Sequence, residues 1–327
     1  MREPTGPRVL IAGCGYVGTA LGELLAARGL EVFGLRRRPD ASCAAIRPVV
    51  ADLTRPATLR SIPAGVDLVF YTAAAGASSD DAYRAAYVDG LRNLLEALAA
   101  HPPRRALFTS STAVYGQSDG SWVDEDSPAE PQGFSGRRLL EAERLLLGCG
   151  RPAAVLRLAG IYGPGRTRLI DEVRGGAATV PESGEPLWTN RIHADDCARA
   201  LRHLLRLPAD AMQGVWLGVD DEPADRTVVF DWLADRLGVV HPRRVPVGDA
   251  AARMRPGNKR CSNAKLKRAG YAFRFPTFRE GYMAELVQLA APFVARRILV
   301  ICNVPVPELG ALNNEHSTVT ITKKILA

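Results

Sequence analysis

The chain has 327 residues, 47% of them hydrophobic and 24% charged, and a net charge of +7 carried almost wholly by arginine. Such a composition suits a soluble globular protein long enough for one large α/β domain with a lobe, or for two domains. The basic balance admits anionic small ligands, but no basic stripe interleaved with aromatics runs through the chain, so no nucleic-acid partner is expected.

The first predicted strand is Arg8-Val9-Leu10-Ile11-Ala12. It feeds Gly13-Cys14-Gly15-Tyr16-Val17-Gly18, and a helix follows from about Gly18 to Arg28 with Leu21, Leu24 and Leu25 on one face. A second strand begins at Glu31 and ends in Arg36-Arg37-Arg38. This strand–turn–helix–strand setting is what a GxGxxG motif needs to read as a dinucleotide site. Gly13 allows the tight turn, Gly15 lets backbone amides approach a pyrophosphate at the helix N-terminus, and Gly18 lets helix and strand pack closely. Where a site for NAD usually offers Asp or Glu, this strand offers arginines. Guanidinium groups bind a ribose 2′-phosphate that a carboxylate would repel, so NADP(H) is expected, with Arg36 and Arg37 as its ligands.

Further strands are read at Val49–Ala51, Val66–Tyr71 and Ala106–Thr109. The fourth, Val66–Tyr71, runs into the small residues Thr72-Ala73-Ala74-Ala75-Gly76. A long helix is predicted from Asp80 to Ala100, ended by Pro102-Pro103, with Tyr83 and Tyr87 as candidates for an interface. Strands alternating with helices of this length argue for a doubly wound parallel sheet of the Rossmann type, with a smaller C-terminal substrate lobe.

Ser111-Thr112-Ala113-Val114-Tyr115-Gly116, Tyr87–Leu95, Arg157–Gly165 and Arg191–Asp196, together with the glycine turn, resemble the extended short-chain dehydrogenase/reductases. That group includes nucleotide-sugar epimerases and dehydratases. The likeness runs from about Arg8 to Leu289. It implies that Asp52 and Leu53 flank the adenine, that Ala73 and Ala74 line the cofactor channel beside Gly13, Gly15, Tyr16, Val17 and Gly18, and that Ser111 bonds the reacting oxygen. It implies that Arg166, Asn190 and Arg191 meet the substrate. The family's Tyr-x-x-x-Lys is broken here: counted from Ser111, Phe134 stands for the tyrosine and Arg138 for the lysine. Phenylalanine cannot exchange a proton, whereas arginine can still hold a ribose. Such a departure resembles the atypical branch of the superfamily. The expected catalytic set is therefore Ser111, Arg138 and Tyr162. Tyr115 reads as packing and His193 as structural.

The expected organisation is a nucleotide-binding core over 1–160, a lobe mainly over 161–290 with a strand near 214–219 returning to the sheet, and a tail over 291–327. The tail lacks arginine after Arg297; Ile298–Ile301 and Thr318–Thr322 read as strands. Six scattered cysteines read as free thiols of a reducing cytoplasm. No signal-peptide core, membrane span or metal-ligand spacing is read. The expectation is an NADP(H)-dependent oxidoreductase acting on a small, anionic or nucleotide-linked substrate, with a homodimer through a helix bundle. A nucleotide-binding sensor without catalysis and a nucleotide-sugar epimerase or dehydratase are the alternatives.

Overall fold

In the computed structural model, the structure describes residues 6–38, 43–182, 184, 186–246 and 257–302. The strands in chain order are β1 (Arg8–Ala12), β2 (Glu31–Arg36), β3 (Arg47–Val50), β4 (Leu68–Tyr71), β5 (Arg105–Ser111), β6 (Trp122–Val123), β7 (Ala153–Leu158), β8 (Gly160–Tyr162), β9 (Thr179–Pro181), β10 (Trp188–Thr189), β11 (Arg191–His193), β12 (Gly214–Gly218), β13 (Ala224–Asp225), β14 (Arg243–Val245) and β15 (Arg260–Cys261). Seven of them form one sheet in the order β12-β7-β5-β4-β1-β2-β3. Its neighbours pair in parallel throughout. The sequence order reverses between β1 and β4, and in open parallel sheets ligands bind outside the carboxyl ends of the strands at such a switch point.

Alternation along β1 explains the two layers. Leu10 and Ala12 face one core with Phe33, Leu35, Tyr71, Leu91, Leu94 and Phe108. Val9 and Ile11 face the other with Leu21, Leu25, Phe70, Leu107 and Leu156. Helix α1 (Tyr16–Ala26) covers the second face with Leu21 and Leu25 buried. Each fully buried Leu or Phe stabilises the fold by about 1.5–3 kcal/mol, which is why near-continuous apolar runs are fixed as central strands.

The predicted helix over Asp80–Ala100 is not one regular helix. It is α2 (Asp80–Tyr83), a π turn (Arg84–Asp89) and α3 (Gly90–Ala97). Helix α4 (Phe134–Leu147) packs beside them. The later helices are α5 (Arg168–Arg174), α6 (Ala194–Arg206), α7 (Ala209–Met212), α8 (Arg226–Leu237), α9 (Ala264–Arg268) and α10 (Phe278–Cys302). Strand β12 pairs with β7, and four short two-stranded pairings complete the lobe: β8 with β11, β9 with β14, β10 with β13 and β6 with β15.

Residues up to Tyr282 form one compact unit, and a second begins at Met283. Of the second, the structure describes residues 283–302, all in α10. Ile298–Ile301 is therefore helix rather than the expected strand: β-branched residues carry only a weak β preference, which a continuing helix overrides. Thr318–Thr322 lies outside the described residues.

Candidate active site

By the switch-point rule, the crevice that a ligand would enter lies outside the carboxyl ends of β1, β2, β4 and β5. Gly13 has φ +89°, and a Cβ there would collide with the backbone N and Cα of Ala73. The turn thus locks β1 against the segment after β4, and Thr72 adds a bond from its hydroxyl to Gly13 O at 2.9 Å. Gly18 is equally constrained: a Cβ would sit 2.7 Å from Thr72 Oγ1 and 2.9 Å from Ile11 Cγ2. Gly15 differs, because its Cβ would meet only Gly13 O, at 3.9 Å. Protein packing does not require glycine there. The space lies in front of the α1 N-terminus, which has no side-chain cap and no acidic residue in its first turn. An uncapped helix start facing open space is suited to an anion, and a pyrophosphate fits these residues. Tyr16 is tied across the crevice by a 2.8 Å bond to Pro164 O, and Val17 is buried under the turn.

At the end of β2, Leu35 is buried, Arg36 half-buried and Arg37 exposed. Asp52, beyond β3, lies within the field of Arg37. Its partial burial raises the carboxyl pKa, but bonds from the Thr54 amide and hydroxyl and the charges of Arg37 and Arg55 bring it net below the ordinary value. Leu53 is buried in the core, and its carbonyl accepts from Asn93 Nδ2 at 2.8 Å. Ala73 is half-buried under Gly13 and Ala74 is exposed.

Ser111 ends β5, and its Oγ accepts from Ala113 N at 3.2 Å. Helix α4 is pressed onto this segment, since a Cβ on Gly136 would collide with Ala113 O. Phe134, the first residue of α4, packs edge-to-face on Tyr83 with centroids 5.4 Å apart. Tyr83 in turn stacks on Tyr87 at 5.2 Å. These two tyrosines thus join Phe134 in one aromatic cluster between α2, the π turn and α4. Arg138 forks onto Asp80, with Nε and Nη2 bonds of 2.8 and 2.9 Å, and reaches Glu141 at 3.0 Å. These bonds raise the guanidinium pKa further and lower that of Asp80. Arg138 stands beside the crevice already engaged by two carboxylates.

Beneath Ser111 lies a buried network with no obvious signature in the sequence. Ser110 Oγ donates to Glu143 Oε1 at 2.5 Å, and Arg157 Nη2 donates to Glu143 Oε2 at 2.7 Å. Arg157 Nη1 donates to Tyr115 Oη at 2.7 Å, whose hydroxyl donates to Asp124 O at 2.6 Å. The Glu143 and Arg157 side chains are 2% and 5% exposed, so the pair is dry. Burial pushes the Tyr115 hydroxyl pKa up, against the pull of the Arg157 charge.

Three expected site residues are engaged within the scaffold. Tyr162 is buried between His193 and Tyr282, with its hydroxyl against Gly281, so it presents no phenol to an open site. Asn190 is saturated by the lobe backbone: Nδ2 donates to Lys259 O and Oδ1 accepts from Cys261 N. Arg191 is 4% exposed, lies over the Phe278 ring and donates to Thr189 Oγ1. Arg166 remains exposed at the crevice, stacked over Tyr16 with its guanidinium 4.3 Å from the ring centroid. His193 caps α6, accepting from Asp195 N at Nδ1. Among the described residues no group of His, Cys, Asp and Glu could hold a metal, and no helix is long and apolar enough to cross a membrane.

Asp220 lies beside Arg191 and is 2% exposed, and burial pushes its carboxyl from 3.8 up to about 8. The native state then binds a proton that the unfolded chain has released. Stability should therefore fall as pH rises from about 4 to about 8, by up to a few kcal/mol. Thermal unfolding across that window should show the decline, and Asp220→Asn should flatten it. A variant with the wild-type slope would refute the assignment.

A family model, the NAD dependent epimerase/dehydratase family, matches residues 9–216. Protein YeeZ of Escherichia coli K12 is 30% identical over 285 residues, covering 82% of this chain and 96% of YeeZ. A ketoreductase of Stigmatella aurantiaca acting on 4-hydroxy-2-methyl-3-oxo-4-farnesyl-3,4-dihydroquinoline-1-oxide is 31% identical, covering 69% of this chain and 72% of its own. Among solved structures, a protein of Methylobacillus flagellatus assigned by name to the NAD-dependent epimerases/dehydratases is 37% identical. It superposes with a TM-score of 0.71, covering 86% of this chain and 98% of its own.

Proposed function

The chain belongs to the NAD dependent epimerase/dehydratase family, and from that premise we propose that it is an NADP(H)-dependent oxidoreductase acting on a carbonyl or hydroxyl carbon of a small, anionic or nucleotide-linked substrate. The observation that carries this reading is the crevice itself. An open, uncapped helix start at Gly15 stands beside a strand that ends in Arg36 and Arg37 rather than in a carboxylate.

Gly13, Gly15, Tyr16, Val17 and Gly18 would hold the pyrophosphate, Arg36 and Arg37 the 2′-phosphate, Asp52 and Leu53 the adenine, and Ala73 and Ala74 the channel. When bound, NADP(H) supplies or accepts a hydride. The protein's part is positioning and proton supply. Ser111 bonds the reacting oxygen and stabilises charge developing there. Arg138 keeps a fixed positive charge beside the crevice without shuttling a proton. Arg166 offers the substrate an exposed guanidinium. The named ketoreductase relative favours reduction over epimerisation. Phe134, standing where we place the family's tyrosine, weighs against an epimerase, which must both remove and return a proton. The same replacement favours a second reading, a nucleotide-binding sensor that has lost catalysis. A homodimer through α2–α3 and α4 belongs to the same reading.

Calorimetric titration with NADPH and NADH tests the cofactor. Arg36→Asp should weaken NADPH by about 10- to 100-fold, the equivalent of ~1.5–3 kcal/mol for a lost charge-assisted bond, and narrow its advantage over NADH. An unchanged ratio of the two affinities would remove the NADP assignment.

A further inference from the structure

We infer that Tyr83, carried by α2 rather than α4, is the acid–base phenol of this active site. The inference rests on the oxidoreductase reading above. The chain has eight tyrosines, and seven of them have hydroxyls that are hydrogen-bonded elsewhere or buried. Tyr16 donates to Pro164 O, Tyr71 to Ala86 O and Tyr115 to Asp124 O. Tyr271 donates to Asp196 Oδ1 at 2.7 Å, and Tyr282 bonds Arg191. Tyr87 accepts from the Ala75 amide, and the Tyr162 hydroxyl is buried against Gly281, with no hydrogen-bond partner among the described residues.

Tyr83 is the eighth, and its place is informative. It is half-buried, with its ring edge-to-face on Phe134, the residue standing where the family's tyrosine is expected. Two independent features fix it there. The Arg138 fork onto Asp80 clamps the first residue of α2 to α4, three residues before Tyr83. The π turn that starts at Arg84 sets α2 off from α3, and such widened turns frequently mark functional sites. Helix α4 reaches Ser111 through the Gly136–Ala113 contact and the Ala113–Ser111 bond. Ser111 and Tyr83 are thus both linked to the first turn of α4, one through Ala113 and Gly136 and the other through Phe134. In this arrangement Phe134 supports the phenol that it lacks, and Arg138 positions it through Asp80.

In the reducing direction, bound NADPH would supply a hydride to the carbonyl carbon and be oxidised by it. As the C=O π pair moved to oxygen, Tyr83 would deliver its proton there, and its phenolate would be reprotonated from water. In the oxidising direction the same phenolate accepts the hydroxyl proton.

The test follows NADPH oxidation against a panel of aldehydes, ketones and oxo acids, with NADPH binding by fluorescence and thermal unfolding measured in parallel. Tyr83→Phe should lower kcat by about 100-fold or more, the usual loss for a general acid. Its NADPH affinity and melting temperature should stay those of the wild type. Tyr87→Phe should stay within about 3-fold in kcat, and Phe134→Tyr added to Tyr83→Phe should restore at least about 10-fold. If Tyr83→Phe turns over like the wild type while Ser111→Ala does not, the assignment of Tyr83 is overturned and the oxidoreductase reading stands. If the wild type binds NADPH and turns over no carbonyl in the panel, both fall.

Discussion

Glu143→Ala is expected to destabilise the protein by about 3–5 kcal/mol, because it leaves the Arg157 guanidinium buried without a counter-charge. The carboxylate accepts from Ser110 Oγ and from Arg157 Nε and Nη2, and together they tie β5, β7 and α4. Burial lowers the Arg157 pKa and its bonds to Glu143 raise it. With Glu143 gone only the lowering by burial and the weaker pull of Tyr115 remain, yet a guanidinium does not give up its proton in a protein, so the charge stays behind. Chemical denaturation gives the value directly. The double variant Glu143→Leu/Arg157→Met should recover most of the loss, since a dry pair replaced by apolar groups of similar size costs little. A single variant within about 1 kcal/mol of the wild type would mean that water reaches the pair.

Gly13→Ala is the second large effect. The position needs φ +89°, and the added methyl group would strike the Ala73 backbone, which has no rotamer with which to yield. A left-handed strain of about 1–2 kcal/mol and an overpacking cost of about 1–3 kcal/mol add on the same side. Melting temperature and NADPH affinity should fall together. Gly15→Ala is the instructive contrast, because its methyl group has room. That variant should melt like the wild type and bind NADPH at least about 100-fold more weakly. The figure is on the order of 3 kcal/mol, from a group forced into the space of a pyrophosphate. Full affinity in Gly15→Ala would empty the proposed cradle of its meaning.

The glycine turn and the strands around it were legible because their chemistry is local. Three glycines at fixed spacing, an apolar run before them and arginines at the next strand end all lie within about thirty residues. The Ser110–Glu143–Arg157 network was not legible, since its members are 33 and 14 residues apart and each looks ordinary alone. Tyr162, Asn190 and Arg191 show a different limit. A motif can place a loop beside a crevice, but backbone register decides which way each side chain points. Here β8 and β11 pair with Tyr162 opposite His193, and Tyr162 packs into the lobe. The π turn escaped for a third reason. The leucines after it keep helical spacing, so the pattern alone gives no sign of an added residue.

That added residue has a consequence for the angular phase of the segment. Each residue of an α-helix turns by about 100°, so one extra residue per turn rotates everything before it by roughly that amount relative to everything after. Tyr83 lies upstream of the widened turn, while Leu91 and Leu94 lie downstream in the core. The azimuth of the Tyr83 ring is therefore set by a count of residues between two packed stretches. A chain one residue shorter between 84 and 89 would keep its leucines in place and swing a different side chain towards Phe134.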